Sequence, residues 1–182
     1  MQYLEIPHYA YTQRWQQLEK YMQIKIEHTR DFHELAKLNK TVQTWHHDNY
    51  PDEFKPFDIH AVENAFEKMI QDDNVFAFIA CNQKESIGYL LGYIKTRTDS
   101  AFQYEKTVLY IDQIAVIQEY QKSGVGQLLM NRAYELAIAK QIMEVQLDFW
   151  EGNQSAESFF SKNGFDFFNH RMKKITTANI GY

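Results

Sequence analysis

Apolar and polar residues alternate in "MQIKIEH", Met22 to His28, and this two-residue period predicts a half-buried strand. The period then changes. Phe32, Leu35, Leu38, Val42 and Trp45 recur at intervals of three and four, which marks one face of a helix. Asp31 can cap that helix, with Glu34 three residues on as the second half of a capping box. "DNYPDEFKPF" holds two of the three prolines and reads as a loop. "DIHAVENAFEKMIQ" predicts a second helix, capped by Asp58, with Ile59, Val62, Phe66 and Met69 on one face.

Three apolar runs follow at short separation: "NVFAFIAC", "SIGYLLGYIKTR" and "TVLYIDQIAVI". Their β-branched and aromatic content predicts strands, and the short gaps predict antiparallel pairing. Val125 to Lys140 predicts a helix with Leu128, Leu129, Leu136 and Ala137 inward. "IMEVQLDFW" predicts another strand, "NQSAESFFSKNGF" a short helix ended by Gly164, and "FDFFNHRMKKI" a last strand. The order β-α-α-β-β-β-α-β-α-β predicts a mixed α/β fold in three layers, a mostly antiparallel sheet flanked by helices.

Residues 1–21 stand apart, rich in Tyr, Trp and Gln. They read as an N-terminal extension, helical from about Thr12 to Tyr21, that packs on the domain or on a partner chain; an unused upstream start also fits. Residues 22–182 read as a single domain, without repeat, low-complexity tract or linker.

Composition changes this picture little. Hydrophobic residues at 45% suit a folded core rather than disorder. The formal charge of −5 argues against nucleic acid as the main partner and mildly favours cationic ligands. The lone cysteine, Cys81, lies in an apolar strand run, allows no internal disulfide and fits a reducing cytoplasm. No apolar stretch is long enough to span a membrane, and the N-terminus lacks the pattern of a signal peptide. His46 and His47 flank the proline loop without further ligands at metal-binding spacing, so no metal is expected.

The stretch "EYQKSGVGQLLMNRAY" sets Gly124 and Gly126 at the mouth of a helix, although the chain has only seven glycines. The P-loop pattern is absent, and the dinucleotide fingerprint lacks its third glycine because Leu129 stands there. Two uses remain. The glycines can serve a tight strand-to-helix turn. They can also let a diphosphate reach the first N–H groups of the helix, where the dipole is favourable and Lys122 adds a charge.

Gln121-x-x-Gly124-x-Gly126 after "YIDQIAV", with "NQSAESFFSKNGF" about thirty residues on, resembles the GNAT superfamily of N-acetyltransferases. Asn153, Ala156, Phe160, Lys162, Gly164 and Phe165 match the outline of that family's later helix. The resemblance covers about Met22 to Lys174. It implies an acetyl-CoA-dependent enzyme that acetylates a primary amine of a small molecule, protein or peptide by direct attack. It also implies that a bulge splays the fourth strand from the fifth, so that pantetheine enters and pairs with strand backbone. Ile114, Ala115 and Val116 would then face pantetheine. Gln121, Lys122, Ser123, Gly124, Val125, Gly126 and Gln127 would hold the diphosphate. Asn153 would hydrogen-bond near the sulfur end, although it also suits a plain helix cap.

Within this resemblance Asp112, just before the bulge, is the first choice for general base, with Asp148 and Glu119 in reserve. The Val116 N–H is the candidate oxyanion donor. Phe160 departs from the family, where tyrosine commonly stands to protonate the leaving thiolate. Tyr110, Tyr120 or Ser155 could substitute, and the thiolate could leave unaided. That departure keeps open an alternative, a non-catalytic acyl-CoA-binding or sensing module. Trp45, Tyr50, Phe54 and Phe57 could line the acceptor pocket or simply pack the first helices. Family members often pair, so a homodimer is compatible.

Overall fold

A computed structural model describes residues 23–175. The helix expected over 12–21 lies outside the described residues. The chain divides into two compact units, Met1–Leu147 and Asp148–Tyr182.

The first unit is built on a five-stranded sheet in the order β1-β2-β3-β4-β5. The strands are β1 (Ile24–His28), β2 (Val75–Asn82), β3 (Glu85–Arg97), β4 (Lys106–Val116) and β5 (Val145–Leu147). The first four pair antiparallel: short connections join β2 to β3 and β3 to β4, while β1 reaches β2 through two helices, and β5 alone runs parallel to β4. Helices α1 (Phe32–Asn49) and α2 (Ile59–Met69) begin at the expected caps. Asp31 accepts from the Glu34 N–H at 3.1 Å, and Asp58 from the Ala61 N–H at 3.0 Å. Glu34 does not close the capping box; its carboxylate binds Lys37 instead, at 2.6 Å.

Alternation along the strands sorts the core into two layers. Ala77, Ile79, Tyr89, Leu91 and Ala115 join Leu35, Ala36, Leu38, Phe66 and Ile70 from α1 and α2. The opposite face carries Phe78, whose ring lies 5.5 Å below the Arg132 guanidinium of α3 (Val125–Ala139). On α3 the fully buried positions are Val125, Leu129, Met130 and Ala133; Leu128 and Leu136 are only half-buried.

β5 is shorter than the pattern "IMEVQLDFW" suggests. Ile142 is spent on ending α3: Gln141 turns left-handed at φ 57°, and the Ile142 N–H donates to the Ala137 carbonyl at 2.8 Å.

The second unit carries α4 (Gln154–Lys162), ended by Gly164 in the left-handed conformation at φ 82°. Phe160 sits in a ring cluster with Phe149, Phe159 and Phe165, at centroid distances of 5.3 to 6.0 Å. The strand expected over "FDFFNHRMKKI" does not form among the described residues. Alternation makes a strand only where a neighbouring edge takes up the backbone hydrogen bonds. No described strand does so here, and Phe167, Phe168, Met172 and Ile175 stay exposed.

Candidate functional site

The site begins with a count mismatch in the β3–β4 ladder. Leu91 stands opposite Gln113, but the next residue, Gly92, stands opposite Ile111. Asp112 is therefore the extra residue of a β-bulge. The expected bulge lies at Asp112 itself rather than just after it. Gly92 permits it, since a Cβ there would come within 2.4 Å of the Tyr110 carbonyl oxygen and 2.5 Å of the Phe76 ring.

The bulge changes which backbone groups face outward. Before it, the Leu109 N–H donates to Glu144 ahead of β5, at 3.0 Å. The β4–β5 ladder then ends at Ile111 opposite Leu147. Beyond the bulge, the Ile117 N–H donates to Ile87 on the β3 side, at 3.0 Å. By alternation the N–H and C=O groups of Val116 and Ile114 turn to the opposite edge. The Val116 carbonyl confirms this direction, accepting from the Gln121 side chain at 3.1 Å. Among the described residues no strand pairs with Gln113–Val116 on that edge. The result is a short stretch of backbone open to an extended ligand.

The chain leaves this edge through a 3-10 turn, Gln118–Tyr120, and enters the glycine loop. Three of the loop's side chains are used to shape it. Gln121 ties it back to β4, and the Ser123 hydroxyl donates to the Tyr120 carbonyl at 2.5 Å. Buried Tyr120 has its hydroxyl between Asn82 and Glu85, at 2.9 and 3.4 Å. Lys122 and Gly124 are both left-handed, at φ 58° and 90°. Gly124 is the N-cap of α3 and supplies no capping side chain. The first intrahelical bond is Leu128 N–H to Gly124 carbonyl, at 3.1 Å. The N–H groups of Val125, Gly126 and Gln127 thus point out of the helix end without an intrahelical partner, a geometry suited to an anion.

Sequence reasoning did not find what stands behind Asp112. Gln113 donates from Nε2 to the Asp112 carboxylate at 3.1 Å. Its Oε1 accepts from the Tyr89 hydroxyl at 2.7 Å and from Asn39 Nδ2 at 3.1 Å. Asn39 also donates to the Tyr89 oxygen at 3.0 Å. Burial, opposed by the Asn39 bond and reinforced by the charge of Asp112, raises the Tyr89 hydroxyl above the usual phenol range. Tyr93 is pushed up to about 12, first by burial and then by Asp112 and Asp72. One signal was available: Asn39 is a polar residue one place past Leu38 on the inward side of α1.

The other expected residues fall as follows. Ala115 is buried under α1, Glu119 is exposed in the turn, and the Tyr110 ring carries the Lys95 ammonium 3.0 Å above it. At the end of α1, His46 stacks on Phe54 at 4.4 Å, Trp45 meets Tyr50 edge-on, and His47 bonds the Phe54 carbonyl at 2.8 Å. These rings pack on one another around the proline loop. Asn153, Phe160, Ser155 and Asp148 belong to the second unit. There Asn153 caps α4, accepting from the Ala156 N–H at 3.0 Å, which leaves its amide nitrogen for other use. Phe160 is 6% exposed. Among the described residues no group of three or more His, Cys, Asp or Glu is placed to hold a metal, and no helix is long and apolar enough to cross a membrane.

A family model described as "Acetyltransferase (GNAT) family" matches residues 39–165. Solved structures similar in fold include a tetramutant of the BH1408 protein from Bacillus halodurans. It is 18% identical, with a TM-score of 0.78, covering 84% of this chain and 99% of that one. The aminoglycoside acetyltransferase AAC(6')-Iy, solved with a CoA-containing bisubstrate analogue, is 19% identical with a TM-score of 0.62, covering 85% and 99%. The aminoglycoside acetyltransferase meta-AAC0020, from an uncultured soil metagenomic sample and bound to sisomicin, is 19% identical with a TM-score of 0.60, covering 86% and 99%.

Proposed function

The chain belongs to the acetyltransferase (GNAT) family, and from that premise we propose that it transfers an acetyl group from acetyl-CoA to a primary amine by direct attack. The observation that carries this reading is the open β4 edge running directly into an uncapped helix end. A thioester on a long polar arm with a diphosphate behind it has the chemistry to use both. In this reading Ile114 and Val116 pair with the pantetheine arm, and Ala115 between them anchors the strand to the core. The N–H groups of Val125, Gly126 and Gln127 bind the diphosphate, with Lys122 adding charge.

Two requirements of the chemistry find groups at this edge. An alkylamine has a pKa near 10.4, so presenting it neutral at pH 7 costs about 4–5 kcal/mol. Asp112 accepts that proton, directly or through water, while amine nitrogen bonds to the acetyl carbonyl carbon. Negative charge then grows on the carbonyl oxygen, and the outward Val116 N–H donates to it. Collapse breaks the carbon–sulfur bond and expels CoA as thiolate, near enough to a cysteine thiol in acidity to leave without a protein acid, and the second proton on the nitrogen passes to that thiolate or to water. The reading therefore requires no hydroxyl at Phe160. The acceptor is an amine, favoured as a cation in its resting form by the net charge of −5.

The test is CoA release from acetyl-CoA across a panel of amines, including aminoglycosides, polyamines and lysine-containing peptides. Turnover above a Gly124→Glu control supports the reading. No release across the panel, together with tight acyl-CoA binding by calorimetry, would favour a binding module, the alternative suggested by the ring at Phe160.

A further inference from the structure

We infer that Gln113 is a positioning residue for acetyl transfer: clamped from within by Asn39 and Tyr89, its amide holds the Asp112 carboxylate in place on the bulge. This rests on the reading that Asp112 receives the amine proton.

The direction of every bond in the chain follows from its outer end. An ionised carboxylate only accepts, so Gln113 must present its NH₂ to Asp112. Its carbonyl oxygen then faces inward and needs donors. It has two, the Tyr89 hydroxyl at 2.7 Å and Asn39 Nδ2 at 3.1 Å. Having given its single proton to Gln113, Tyr89 can only accept from Asn39, which it does at 3.0 Å. No amide can flip without setting acceptor against acceptor. The anchor is rigid because it is buried: Tyr89 is 0% exposed and Asn39 5%.

The bulge is what joins this anchor to the site. Consecutive side chains on a regular strand point to opposite faces and do not meet. At Asp112 the extra residue breaks the alternation, and neighbouring Asp112 and Gln113 bond side chain to side chain at 3.1 Å. A purely structural tie between α1 and the sheet would need no polar atoms. Leu35, Ala36, Leu38, Leu91 and Ala115 around it are apolar, and apolar side chains of similar shape would pack there without desolvating an amide pair. The network leads to one exit, and Asp112 stands at it.

The experiment measures kcat and KM for CoA release with acetyl-CoA and the best amine of the panel above. Gln113→Met keeps the length of the side chain and removes its polar atoms. The expected result is a fall in kcat of about 10- to 100-fold, the size of a catalytic group displaced by roughly an ångström, with KM for acetyl-CoA nearly unchanged. In an Asp112→Asn background the same change should add nothing. Tyr89→Phe keeps the ring in the core and should show a smaller loss of the same kind, so a folding defect in one variant does not remove the test. Wild-type kcat in both single variants, or losses that add fully to that of Asp112→Asn, overturns the positioning role and leaves Asp112 as base. Wild-type kcat in Asp112→Asn overturns the base and the positioning role together.

Discussion

In the proposed reaction Val116 acts through its backbone, so replacing its side chain leaves the outward N–H in place. Proline removes that N–H, and it does so without breaking the β3–β4 ladder, because this N–H points away from β3. Val116→Pro is expected to lower kcat by roughly 10²- to 10³-fold while the protein keeps its fold by circular dichroism. Asp112→Asn should lower kcat by about 10²-fold or more with acetyl-CoA affinity kept, measured by calorimetry beside turnover. Gly124 has a different sensitivity. At φ 90° it holds a conformation that side chains rarely adopt, so Gly124→Ala should weaken acetyl-CoA binding and cost about 1 kcal/mol in stability by denaturant titration. At this scale the sequence was legible where residue type sets the backbone: Gly124 caps α3 in the left-handed conformation and Gly126 lies in its first turn. It was silent on the links among Asn39, Tyr89 and Gln113, which lie 24 to 74 residues apart in the chain. Polar residues at such separation look like any other polar residues until the fold brings them together.

Between residue and molecule, the decisive element is β4. Its bulge reverses which backbone groups face outward, and Gly92 on β3 makes room for it. A methyl at Gly92 would meet carbonyl oxygen on one side and the buried Phe76 ring on the other. Gly92→Ala is therefore expected to destabilise by about 1–3 kcal/mol and to reduce activity as the bulge shifts, read from chemical denaturation and kcat together. The helices α1 and α2 were legible from periodicity and their caps, and the central strands from continuous apolar runs, because β2 and β3 bury both faces. The end of "IMEVQLDFW" and the run "FDFFNHRMKKI" were not. A strand is a contract with a neighbour, and the pattern of one run does not say whether an edge is available to receive it.

For the whole molecule, His46 links stability to pH. Burial against Phe54 holds its imidazole below the ordinary value of 6.5. The folded state therefore resists the proton that the unfolded chain accepts, and stability falls as pH drops below about 6.5. Thermal melting between pH 7.5 and 5 should show this decline, and His46→Gln should flatten it. The amino-acid order by itself determined the described helices, the first four strands, most core-facing positions, the charge and the family motif. Each depends on residues near in sequence, through periodicity, capping and backbone permissiveness. Tertiary structure alone decided the bulge register, the edge left open beside β5 and the hydrogen-bonded chain from buried Asn39 and Tyr89 through Gln113 to exposed Asp112. Those depend on which backbones lie side by side, and an extra residue in one strand is defined only by counting against the strand it pairs with.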